Sequence, residues 1–295
     1  MTVFLCISVI AINSCLSFKA AKRRVPLQMF FDLNLLWSCD GEKITEQQLR
    51  NALHELEQLG YTHCCVNTLV RGKSLPNTLS TAIPKGSSSR IHCYSRITLE
   101  LDDQHANYAL TSNPLVQQFD VVAVVPKSEK AFQLACSTLD IDMISLDLSS
   151  SGGRLPFNIK NNLVGEAISR GVFFEVSYSA ALNDAGQRRN LFGNMVPLVR
   201  ATKGGRNVVI SSGASEPIDF RAPQDIINMA FMLGLNGDAP HKSLTLHPKE
   251  LLLHAATRKH TCKSAISLNT DPLTRSTTDK TKTASLLHED FIKIA

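Results

Sequence analysis

The chain has 295 residues, 43% of them hydrophobic and 19% charged, with a formal net charge of +5. That is enough apolar material for a packed core, which excludes a wholly disordered protein, and too small an excess of charge for a general nucleic-acid coat. Eight cysteines stand without a C-x-x-C pair, which excludes a zinc ribbon and a secreted disulfide scaffold and fits reduced thiols.

Residues 1–28 combine an apolar run with KAAKRR. The positive charge follows the apolar run instead of preceding it, and Ser8, Asn13 and Ser14 interrupt it. The segment therefore reads as an N-terminal extension rather than a signal or a membrane span. From Met29 onward, strand-like and helix-like segments alternate. FFDLNLL (30–36) suits a buried strand. Thr45 caps a helix, with Gln48 completing a capping box, Leu49, Leu53 and Leu56 forming its apolar stripe, and Gly60 ending it. HCCVNTLV (63–70) is a second strand, and the Gly/Ser/Pro-rich residues 71–90 a long loop.

RITLEL (96–101) is a third strand, followed by a helix-like stretch and then VVAVVP (121–126), whose β-branched run marks a central parallel strand. Ser128 caps the next helix, and MISLDL (143–148) returns as a strand. A helix from about Asn161 to Arg170 leads through Gly171 to VFFEVSY (172–178), and another from about Arg189 to Thr202 leads through Gly204 and Gly205 to NVVISSG (207–213). Pro223 and Pro248 each open a further helix. The expected organisation is an N-terminal extension over 1–28, a folded body over 29–262, and a disordered Ser/Thr/Lys-rich tail over 263–295. Repeated short βα units in one body give the α/β class, and specifically a TIM-barrel-like (β/α) barrel with a disordered N-terminal extension and C-terminal tail.

An enzyme on such a barrel would place its catalytic groups where the strands end. Asp32, Asn34, Asn67, Asp102, Asp103, Asp147, Ser177, Ser211 and Ser212 stand there, but no histidine forms an H-x-H or H-E-x-x-H motif, and no phosphate loop or G-x-S-x-G elbow is present. No catalytic residue, metal ligand or cofactor is therefore assigned. Basic residues carry more information: Arg188, Arg189, Arg200, Lys203, Arg206 and Arg221 stand against only Glu216 and Asp219 over 188–221. Six minus two is +4 in a body that sums to about zero. Arg188, Arg189, Lys203, Arg206 and Arg221, with Lys127 and Lys130, are the candidate RNA-binding patch, and Ser211 and Ser212 its candidate hydroxyl donors. Helix C-terminal cations that complement the dipole are the bland alternative for Arg200 and Lys203.

FDLNLL after Met29, DVVAVVPKSEKAFQLACSTLDIDMISLDL (120–148), GVFFEVSYSAAL (171–182) and KGGRNVVISSGASEPIDFRAPQDIINMAFMLGL (203–235) resemble the thirty-kilodalton protein subunit of ribonuclease P over roughly residues 29–262. The resemblance implies a TIM-barrel-like fold related to the polymerase-and-histidinol-phosphatase phosphoesterases, whose first strand ends in an H-x-H metal pair. Here Asp32-Leu33-Asn34 stands in that place. It further implies a non-catalytic RNA-binding subunit, with catalysis in the RNA and with ribonuclease P/MRP RNA, precursor tRNA and small protein subunits of the particle as partners. Support of precursor-tRNA leader removal, ribosomal RNA processing by the related MRP particle, a nuclear and nucleolar address and no membrane partner complete that expectation. The competing class is a metal-dependent phosphoesterase working through Asp32, Asn34 and Asp147.

Overall fold

In a computed structural model, residues 28–39, 42–71, 79, 90–102, 111, 113–149, 152–262 and 265–266 are described. The extension 1–27, much of the 71–90 loop, Asp103 and nearly all of the tail lie outside them.

Seven strands are parallel: β1 (Phe31–Cys39), β3 (His63–Val70), β4 (His92–Leu101), β5 (Val121–Pro126), β6 (Met143–Leu146), β7 (Phe173–Ser177) and β8 (Val208–Ser211). They lie side by side in chain order, and a two-residue strand β2 (Glu42–Lys43) pairs antiparallel with β1. The helices between them are α1 (Glu46–Gln58), α2 (Pro114–Gln117), α3 (Glu129–Ser137), α4 (Asn161–Ser169), α5 (Ser179–Asn183) and α6 (Ala185–Ala201). After β8 come a 3-10 turn at Pro217–Asp219, then α7 (Pro223–Met232), α8 (Ala239–Lys242) and α9 (Leu246–His260). The described residues up to Ala255 form one compact unit. In the second, Thr261–Cys262 and Ala265–Ile266 make a short antiparallel ladder.

Period-two alternation sorts the strand residues between two apolar layers. Val122 and Val124 of β5, Ile144 and Leu146 of β6, and Phe174 and Val176 of β7 face outward against Phe132, Val164, Leu191 and Leu198 of the helices. Phe31, Leu33, Cys65, Val121, Ala123, Met143, Phe173 and Val209 face inward, with Leu251 and Ala255 of α9 packed among them. Strands covered on both sides explain why VVAVVP is apolar at nearly every position.

One contact shows how far the sheet curls. Arg96 of β4 and Glu175 of β7 are three strands apart, about 14 Å in a flat sheet. Their side chains nevertheless meet at 2.5 and 2.6 Å. The curl brings the last strand to the first: Leu35 bridges Ala214 in parallel, and Ser212 N–H donates to Asp32 Oδ1 at 3.1 Å. Seven parallel strands thus form a curled, barrel-like sheet whose first and last strands meet at this seam.

Local chemistry sets most element ends where the residue types suggest. Thr45 and Gln48 form the capping box of α1, and Ser128 Oγ accepts from Ala131 N–H at the start of α3. Three of the boundaries that differ have a clear local cause. β4 begins four residues before RITLEL, because HCYS pairs in register with HCCV of β3. α6 begins at Ala185 rather than Arg189, because Asp184 accepts from Gly186 and Gln187 N–H and caps it. α9 begins at Leu246, so Pro248 is its third residue, still within the first turn, where its missing N–H costs nothing.

Candidate functional site: a polar barrel interior and two basic ends of one helix

The C-terminal half of the barrel interior is polar. Arg96 is completely buried and donates to both carboxylate oxygens of Glu175, to Leu33 O at 2.6 Å, and from Nε to Thr98 Oγ1 at 3.0 Å. Thr98 passes a hydrogen bond to Asn67 Oδ1 (2.8 Å), Asn67 Nδ2 donates to Asn34 Oδ1 (2.7 Å), and Asn34 Nδ2 donates to Ser177 Oγ (3.4 Å). This chain links β7, β4, β3 and β1 across the interior. Burial alone would raise the Glu175 carboxyl, but the Arg96 charge and hydrogen bonds from Arg96, Ser211 and Ser145 hold it below the ordinary 4.5. The pair is therefore ionised at neutral pH.

Asp32 sits at the seam between β1 and β8. Its Oδ1 accepts from the Asn34 and Ser212 amides at 3.1 Å each, while Oδ2 is buried without a partner. Burial raises its pKa above 3.8, against the pull of those hydrogen bonds. Asp147 is half-exposed and lies 3.7 Å from Lys127, which also reaches Glu100 at 3.5 Å. Asp32 and Asn34 are thus committed to closing the barrel and Asp147 to a surface ion pair. Among the described residues, no group of three or more His, Cys, Asp or Glu side chains is arranged to hold a metal. His63 and His92 adjoin at 5.1 Å at the start of β3 and β4, and burial, then His92, push His63 down to about 4.

The basic residues separate into different places. Lys127 and Lys130 follow β5, Arg188 and Arg189 open α6 beyond β7, and Arg221 follows β8, all toward the C-terminal ends of the strands. Lys203 and Arg206 stand between α6 and β8, at the opposite end. From Arg189 to Lys203 is about 20 Å along the helix at 1.5 Å per residue. The continuous patch expected from the sequence is therefore two groups, because a helix that crosses the barrel carries its two ends apart.

Several of these side chains are already engaged. Arg188 donates to Ala181 O (2.9 Å) and Leu182 O (2.8 Å), closing the end of α5, and Arg221 donates to Ile218 O and Phe220 O. Ser211 and Ser212 are only 2% and 1% exposed; their hydroxyls donate to Glu175 and to Asn34 O. They build the barrel interior, not a surface beside the patch. Arg96, fully buried, belongs to that interior as well. Glu175 is the interior residue that motif and charge-cluster reasoning misses; its one signal is a carboxylate in the middle of the apolar run VFFEVSY.

Residues 29–260 match the family model described as RNase P subunit p30. The chain is 37% identical over 241 residues to the Schizosaccharomyces pombe protein named "Probable ribonuclease P protein subunit 3", covering 81% of this chain and 99% of that one. It is 32% identical over 253 residues to the Saccharomyces cerevisiae "Ribonuclease P/MRP protein subunit RPP1", covering 81% and 84%. A chain of the cryo-EM structure of archaeal ribonuclease P with mature tRNA shares the fold, with a TM-score of 0.60 at 14% identity, covering 81% of this chain and 97% of that one.

Proposed function

This chain belongs to the RNase P subunit p30 family, and on that premise we propose that it serves as an RNA-contacting protein subunit of ribonuclease P with no catalytic site of its own. The observation that carries the reading is the family match over residues 29–260, supported by 37% identity to a relative of which nearly the whole length is covered. Catalysis is assigned to the particle's RNA. The side chains at the strand ends favour this: Asp32 Oδ1 is taken by two backbone amides, and the Asn34 and Asn67 amides are bonded to each other. Asp32 is moreover only 1% exposed, at the seam between the first and last strands, where a substrate in solution does not reach it.

The same reading gives the chain precursor tRNA, ribonuclease P RNA and small protein subunits as partners, and leader removal as the activity it supports. The MRP in the name of the yeast relative supports a second role in ribosomal RNA processing. A nuclear and nucleolar location is part of this proposal. Phosphate contacts are proposed for the exposed cations of the two basic groups, Lys127, Lys130 and Arg189 at one end and Lys203 and Arg206 at the other.

The test is cleavage of a precursor tRNA in magnesium by the purified chain, alone and with ribonuclease P RNA and the partner subunits. The expected result is no cleavage alone and RNA-dependent cleavage in the mixture. Metal-dependent turnover by the protein alone, abolished by Asp32→Asn, would overturn the reading in favour of a phosphoesterase.

A further inference from the structure

From Ala185, the first residue of α6, to Asn207, the last before β8, the chain carries five basic residues and no acid. The whole chain has 31 basic and 26 acidic residues, so the remainder holds 26 of each and sums to zero. One helix and its exit turn thus account for the entire formal excess. Arg188 is spent on the α5 carbonyls, and Arg189 lies at the far end of the helix, toward Lys127 and Lys130. Arg200, Lys203 and Arg206 fall within seven residues at the N-terminal end of the barrel, are exposed, and form no ion pair among the described residues.

The turn that presents them is rigid. Thr202 is fully buried; its hydroxyl donates to Leu198 O (2.8 Å) and accepts from Gly205 N–H (3.2 Å), while Arg206 N–H donates to Thr202 O (3.1 Å). Asn207 Nδ2 donates to Val172 O (3.3 Å). Lys203 and Asn207, both at φ 55°, are the two non-glycine residues with positive φ in the described chain, and both lie in this turn. Such backbone is costly and is held only where the surroundings over-determine it. Complementing the helix dipole accounts for Arg200, but Arg206 lies five residues beyond the end of α6.

We propose that the α6–β8 elbow, with Arg200, Lys203 and Arg206 as its contacts, is the principal phosphate-binding surface for the particle's RNA, at the end of the barrel opposite the strand C-termini. The inference rests on the RNA-subunit reading and deepens it by naming the face. Three uncompensated cations on a pre-set turn bind a polyanion with little ordering cost. An RNA strand offers regularly spaced phosphates to all three.

The test measures binding of the full chain, with its partner subunits, to in vitro transcribed ribonuclease P RNA across 50–200 mM KCl. R200Q/K203Q/R206Q is compared with the opposite-end set K127Q/K130Q/R189Q. Three phosphate contacts predict a loss of about 50- to 170-fold at 0.15 M salt, and a salt slope shallower by about 2–3, from roughly 0.7–0.9 per contact. The opposite-end set is expected to lose less than about a tenth as much. Far-UV circular dichroism and a thermal melt check the fold, and R200K/R206K is expected to retain binding. Unchanged affinity and slope in the elbow variant, with wild type binding normally, would overturn this inference and leave the family reading intact. A wild-type chain that neither binds the RNA nor enters the particle would overturn the family reading itself. RNA affinity preserved while a protein subunit is lost would make the elbow a protein-docking face and refute the proposal.

Discussion

Replacing Arg96 by methionine tests the barrel interior most sharply. The substitution removes two hydrogen bonds to Glu175 and those to Leu33 O and Thr98, and leaves a carboxylate with no exposure beside Ser211. Removing one partner of a buried pair costs about 3–5 kcal/mol, mostly because the other charge is stranded. At roughly 2–4 °C per kcal/mol for a body of this size, the melting temperature falls by about 6–20 °C at pH 7. The pH dependence gives a second readout. In the wild type the Glu175 carboxyl is held below 4.5, so its contribution is present above that value and is lost as pH falls through the folded pKa. Without Arg96, burial dominates and the folded pKa rises above 4.5. The deficit of R96M is then smallest in acid, below the unfolded value, and grows as pH rises through the folded one. R96M/E175L, which removes both charges, is expected to recover most of the loss. Differential scanning fluorimetry from pH 4 to 8 measures all of this. The reasoning is refuted if R96M melts within 2 °C of wild type at pH 7, or if the double variant is no better than the single.

Three further outcomes follow from local geometry. Gly205→Ala places a Cβ 2.1 Å from Leu235 Cδ2 at φ 109°, and is expected to cost about 2–4 kcal/mol by urea unfolding, against about 1 for Gly204→Ala, where φ is 96° but the space is open. Asp32→Asn keeps the Oδ1 acceptor and exchanges one unpaired buried atom for another, so it is expected to unfold within about 1 kcal/mol of wild type at pH 7. Because the Asp32 pKa is raised above 3.8, wild type gains from this group below that value and loses the gain as pH rises through the folded one; the Asn variant abolishes this difference, read from paired melts at pH 4 and 7. Thr45→Ala removes the Gln48 N–H acceptor and half of the capping box, and is expected to cost about 1 kcal/mol in the same denaturation assay.

The sequence made the strands legible because each parallel strand is covered on both sides, so runs such as VVAVVP and VFFEVSY stand out from the helices between them. Curl and closure were not legible in the same way, since they depend on which side chains meet across the interior. The pair that reveals the curl leaves only a faint mark: Arg96 in RITLEL and Glu175 in VFFEVSY are opposite charges inside otherwise apolar strands, 79 positions apart. For basic residues, closeness in sequence is a poor guide to closeness in space. Adjacency in sequence joined Arg188 to Lys203, whereas α6 holds them at its two ends. Exposure alone does not mark a cation as available either, since Arg188 is exposed yet bonded to two carbonyls.

The division of polar residues within the barrel bears on what the side chains at its strand ends are used for. A hydrophobic filling at the Arg96–Glu175 level would stabilise a barrel as well or better, since buried pairs seldom surpass apolar packing. What the pair and the chain through Thr98, Asn67, Asn34 and Ser177 add is directionality: each bond between strands fixes the height of one against another around the interior. Asp32 does the same at the seam, where β8 meets β1 through little more than the Leu35–Ala214 bridge and the Ser212 amide. Side chains so bound fix the register of the strands and are no longer free to turn toward a substrate. The polar residues at the strand ends therefore serve the shape of the barrel, and a rigid barrel is what holds Arg200, Lys203 and Arg206 in fixed positions at its other end.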